Sequence, residues 1–132
     1  MAIFTHTIST ATEELVDITA QVRKDIQASG VREGLCVVHC PHTTAAVTVN
    51  ENADPDVQRD LVLGLDAAFP DRADFRHFEG NSAAHLKSSA VGCTQTLLVE
   101  RGAPVLGTWQ GIYFCEFDGP RTRTYHVKVM AG

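Results

Sequence analysis

A chain of 132 residues has room for one domain and not for a second. Apolar residues at 44% and charged residues at 20% exclude disorder as the main state, and a chain of this length builds a core without disulfides or metal. Eleven Lys and Arg against sixteen Asp and Glu leave a net charge of -5, the wrong sign for a protein that lives on nucleic-acid phosphates, so no nucleic-acid partner is expected.

Ile3–Ser9, rich in Ile, Phe and Thr, predicts an opening strand. Leu15–Ile18 predicts a second. Ile18, Val22 and Ile26 then recur every fourth residue, and Gly30 stops the pattern, which gives a short amphipathic helix over 19–29. Leu35–Cys40 is a nearly continuous apolar run of strand length. Pro41-His42 interrupts it, because proline has no N–H for a sheet. Thr43–Asn50 resumes as a strand.

Asp54-Pro55 is an N-cap followed by proline at the first helical position. Val57, Leu61, Leu65 and Ala68 follow at helical spacing, and Pro70 ends a helix placed at 55–68. Residues 70–80 read as a polar loop. Asn81 or Ser82 caps a short helix that Gly92 closes. Strands follow from Gln95 to Glu100, briefly at Val105-Leu106, from Ile112 to Phe117, and around Tyr125, Val127 and Val129. These last three alternate with Thr124, His126 and Lys128, the pattern of a sheet with one wet face. Arg101-Gly102 and Asp118-Gly119-Pro120 are the turns between them. Mixed order with hairpins at the end predicts a single α+β domain over 1–132, with a mostly antiparallel sheet and two or three helices.

No apolar run approaches the length of a membrane span. The first six residues lack a charged n-region and a long apolar stretch, so no secretory leader is expected. Four cysteines stand at 36, 40, 93 and 115. Four residues of strand span roughly 13 Å, too far for Cys36 to bond Cys40. Reduced, mostly buried thiols in a cytoplasmic protein are the expectation.

Three polar clusters sit at loops or strand ends. The first is Cys40-Pro41-His42-Thr43-Thr44 with Asn50-Glu51-Asn52-Ala53-Asp54. Turn chemistry and the helix cap explain Asp54, but they do not explain His42. The second runs from His77 to Lys87. It holds His77, Glu79 and His85, ligand types for a divalent metal, at a spacing that matches no fixed zinc motif. Free N–H groups at Asn81–Ser82, with Lys87 further along the helix, also suit a phosphate. The third joins Trp109, between glycines 107 and 111, to Arg121 and Arg123. Strand geometry would put both arginines on one face as a clamp for an anion. The competing reading pairs them with Glu116 or Asp118. No nucleophile elbow, Walker A sequence or dinucleotide fingerprint occurs.

At these clusters the chain resembles the YjbQ family, also called UPF0047. The strings that carry the resemblance are Pro41-His42-Thr43-Thr44-Ala45-Ala46, Asn50–Val57, Glu79-Gly80-Asn81-Ser82 and Leu106–Arg121. The family's usual Asn-Ser-Asp-Ala-His reads here Asn81-Ser82-Ala83-Ala84-His85, so Ala83 replaces an acid. Cys93 stands at an expected serine. The resemblance implies a β-sandwich-like α+β fold, a homotrimer, and sites at subunit boundaries. It also implies a secondary thiamine-phosphate synthase activity. That reaction joins a hydroxymethylpyrimidine diphosphate to a thiazole phosphate and releases pyrophosphate.

On this reading His42, Glu79, His85 and Asp54 are the catalytic candidates. Asn81, Ser82, Lys87, Arg121 and Arg123 would hold phosphate, and Trp109 would stack on a heteroaromatic ring. His42, His77 and His85 would converge on a divalent ion, Mg or Zn. The same inventory suits a metal-dependent hydrolase of a small phosphorylated metabolite, or a trimeric metabolite-binding module without turnover.

Overall fold

A computed structural model describes residues 3–132. Met1 and Ala2, part of the N-terminal run read above against a leader, lie outside it. The elements in chain order are β1 (Ile3–Ser9), β2 (Glu14–Asp17), α1 (Thr19–Ser29), β3 (Gly34–His39), β4 (Ala45–Glu51), α2 (Pro55–Ala68), α3 (Ser82–Val91), β5 (Thr94–Glu100), β6 (Ala103–Pro104), β7 (Gln110–Glu116) and β8 (Thr122–Ala131). They form a five-stranded sheet in the order β1-β8-β3-β5-β6 and a three-stranded sheet in the order β2-β7-β4. Every pairing is antiparallel. The α+β class and the three helices agree with the sequence pattern. No described helix is long and apolar enough to cross a membrane.

The two sheets enclose the main core. Val38, Val127, Val129, Cys36 and Tyr125 from the larger sheet meet Val22 and Ile26 of α1 and Ile112, Phe114 and Val47 of the smaller one. A second cluster lies on the other side of the smaller sheet, where Cys115, Ala46 and Phe117 meet Ala84 of α3 and half-buried Leu65 of α2. β7 therefore has cover on both faces, which is why Ile112-Tyr113-Phe114-Cys115 is an unbroken apolar run. β8 has one covered face and alternates. Gly34 opens β3 against β8, where an added Cβ would stand 1.8 Å from the Met130 carbonyl oxygen.

One strand differs from expectation. β6 lies at Ala103–Pro104 rather than Val105-Leu106. Arg101 (φ 53°) and Gly102 (φ 74°) form a two-residue left-handed turn, the kind that returns a chain at once into pairing. Glu100 therefore pairs Ala103 and Val99 pairs Pro104. The apolar Val105-Leu106 lies just past this pairing, with Leu106 packed on the core.

Candidate functional site

A cavity of about 390 Å³ opens where the 41–44 segment, the 77–81 loop, α3 and the start of β8 meet. His42, Thr43, Thr44, His77, Glu79, Asn81, His85, Arg121 and Arg123 line it. Local sequence explains this meeting. Pro41 ends the β3 ladder and turns His42 toward β8, where its Nε2 stands 3.0 Å from the Thr124 amide nitrogen and 3.1 Å from the Thr124 carbonyl oxygen. A neutral ring accepts from the N–H; a ring protonated at Nε2 donates to the carbonyl. Burial first, and then the nearby Arg123 charge, push the His42 pKa below the usual imidazole value. This favours the neutral ring, with Nε2 accepting from the Thr124 N–H.

His77 and His85 meet edge to face, ring centroids 5.3 Å apart. His77 Nε2 lies 3.9 Å from Glu79 Oε1. Asn81 is the N-cap of α3, but its side chain does not cap the helix. Its Nδ2 donates instead to Asp118 Oδ2 at 2.7 Å, and its Oδ1 is buried without a partner. The same Asp118 oxygen accepts from Arg121 Nη2 at 3.0 Å, while Arg121 Nε donates to the Asp118 carbonyl at 2.7 Å. Arg121 is aimed in this way with Nη1 engaged by no protein acceptor among the described residues.

The two-arginine clamp does not form. Arg121 precedes β8, so strand alternation does not place it beside Arg123. Arg123 is buried against Glu116, with Nε to Oε1 at 2.8 Å and Nη2 to Oε2 at 2.6 Å, and it also donates to Thr44 Oγ1 at 2.8 Å. Burial alone would raise the Glu116 pKa. The bonds from Arg123, Thr10 and the Asp118 amide outweigh it and hold the carboxyl below its ordinary value. Arg123 is thus the floor of the cavity, and Arg121 alone remains to meet an anion.

Lys87 is likewise not free at the helix N-terminus. It is buried on the far side of α3, bonded to Asp66 and to Glu13 at 3.4 Å. Ser82 opens α3 but does not line the cavity. Asp54 is the expected N-cap of α2, accepting from the Asp56 amide at 2.9 Å, and stands away from the cavity. Trp109 also stands apart, 62% exposed. Within one chain no three His, Cys, Asp or Glu side chains among the described residues stand close enough to hold an ion. The expected convergence of His42 with His77 and His85 is therefore not made, because His42 Nε2 is turned to Thr124. Cys36, Cys40 and Cys115 are buried and Cys93 is exposed; burial pushes the first two thiols up to about 11 and Cys115 to about 12, which leaves them unreactive.

Sequence reasoning names Asp118 as a candidate arginine partner, which it is for Arg121, but misses its bond to Asn81. It also missed Glu13 and Asp66 as the partners of Lys87. Glu13 lies 74 positions from Lys87, and no local signal spans that separation.

A family model described as UPF0047 protein YjbQ-like matches residues 4–132. UPF0047 protein YugU of Bacillus subtilis is 53% identical over 123 residues, covering 92% of this chain and 93% of that protein. A UPF0047 protein of Methanocaldococcus jannaschii is also 53% identical, over 89% of this chain and 86% of its own. A crystal structure of a YjbQ/UPF0047-family protein from Clostridium acetobutylicum superposes with a TM-score of 0.94 at 51% identity, covering 96% of this chain and 99% of that one. A hypothetical protein from Aeropyrum pernix gives 0.93 at 35% identity over the whole of both chains. The chain belongs to the YjbQ-like UPF0047 family.

Proposed function

We propose that the cavity binds a small phosphorylated metabolite and that the protein is a cytoplasmic transferase of the thiamine-phosphate synthase type. The observation that carries this reading is Arg121, held by Asp118 with part of its guanidinium uncommitted, at the mouth of a cavity with three imidazoles. Loss of pyrophosphate from a pyrimidine methylene leaves a cation-like carbon and a developing trianion. Catalysis is then mainly positioning and charge stabilisation. Arg121 and Asn81 hold and orient the diphosphate. His85 or His77, when protonated, gives a proton to the leaving pyrophosphate oxygen. Neutral His42, whose Nε2 accepts from the Thr124 N–H, carries its proton on Nδ1 and offers a hydrogen-bond donor to the ligand.

Magnesium would enter with the diphosphate, since it binds chiefly through phosphate oxygens and water; the residues of one chain do not form the three-imidazole metal set. Trp109 and Asp54 serve this site only across a subunit boundary. The apolar surface left open, Phe78 being 93% exposed and Leu98 62%, supports a homotrimer. The partners on this reading are a metabolite and two further copies of the chain, not nucleic acid or a membrane.

The test is turnover by the purified chain. Hydroxymethylpyrimidine diphosphate, thiazole phosphate and Mg²⁺ are expected to give thiamine phosphate and pyrophosphate in equal amounts. Hydrolysis of either substrate alone, without joining, would instead make the protein a hydrolase. Tight binding with no product would make it a metabolite-binding module.

A further inference from the structure

Four strands of the larger sheet set Thr5, His126, His39 and Thr94 in one line across its outer face. The register makes the row: Thr5 pairs His126, His126 pairs His39, and His39 pairs Thr94. His126 Nδ1 lies 2.9 Å from Thr5 Oγ1, and His39 Nδ1 lies 2.8 Å from Thr94 Oγ1. The two rings are stacked between these hydroxyls, with centroids 6.4 Å apart and planes at 18°. Both rings are partly exposed and neither lines the cavity described above.

This is the arrangement in which histidines ligate metals. One ring nitrogen gives its proton to an outer partner, which fixes the tautomer and leaves the lone pair on the other nitrogen. A threonine hydroxyl is able to accept from Nδ1–H, and in that tautomer each ring keeps Nε2 as a ligand. We propose that His39 and His126 form a surface site for a borderline divalent transition ion of the zinc class, bound through both Nε2 atoms, with Thr5 and Thr94 as positioning residues. Water completes the coordination. Two nitrogens on one zinc ion stand at most about 4.2 Å apart, given Zn–N bonds of about 2.1 Å. The rings reach that separation by leaning together about their side-chain bonds, which cross-strand Cβ atoms about 4.5–5.5 Å apart allow.

The experiment is a calorimetric titration of zinc alone into the full chain carrying His42→Ala, His77→Ala and His85→Ala, so that the cavity imidazoles contribute nothing. One ion per chain is expected. Adding His39→Ala or His126→Ala should remove the binding. Adding Thr94→Val, which keeps both imidazoles, should weaken it about tenfold, the usual effect of losing an outer partner. Absence of zinc binding in the parent variant overturns the proposal. So does binding that survives loss of both His39 and His126, or a Thr94→Val affinity equal to the parent's.

Discussion

Arg123→Ala is expected to cost about 3–5 kcal/mol of stability, because it strands the fully buried Glu116 carboxylate. For a domain of this size that lowers Tm by roughly 10–20 °C. The variant Arg123→Met with Glu116→Gln should lose less than Arg123→Met alone, since a neutral amide needs no counter-charge. The pH dependence has a definite sign. Glu116 titrates below its ordinary value in the folded chain. Its contribution is therefore complete above the unfolded carboxyl pKa and disappears as pH falls through the folded one. Denaturant melts across that acid range check both points: wild type should lose stability on acidification, and the double variant should lose less of it.

His85→Ala is expected to lower turnover by about 10²–10⁴-fold, the usual contribution of a positioned acid or base. Its ring is only partly buried, so Tm should change little. His77→Ala should lower turnover too, because the two rings meet at 5.3 Å and each limits the orientation of the other. The check is the initial rate of pyrophosphate release, measured beside a thermal melt of each variant. A rate unaffected by His85→Ala would trace the activity to a contaminant or to another site.

The helices were legible because their signals are local. Asp54-Pro55 starts α2 at the residue expected, and Gly30 ends α1 with φ 73°. The alternation in β8 likewise reports one covered face. The position of β6 is not legible in the sequence, because it depends on turn geometry at Arg101-Gly102, whereas the apolar Val105-Leu106 is the stronger sequence signal. At the site, the sequence brought His42, His77, Glu79 and His85 forward as chemistry, and the cavity unites them. It could not separate Arg121 from Arg123. Both are arginines beside acids, and only the fold shows that Glu116 is buried on a strand paired on both sides while Asp118 sits half-buried in the turn that follows it. The role of Lys87 is hidden for the same reason: its partners come from the β1–β2 connection and from α2, far away in the chain.

The most direct test of the site is the affinity of pyrophosphate, with Mg²⁺, for wild type and for Arg121→Lys. Lysine keeps the charge but not the fork that Asp118 aims. Losing a charge-assisted, two-point contact should weaken binding about 10–100-fold, with Tm nearly unchanged because Arg121 is half exposed. Equal affinity in the two proteins, together with a large fall in the Tm of Arg121→Lys, would contradict the account and make Arg121 a structural partner of Asp118.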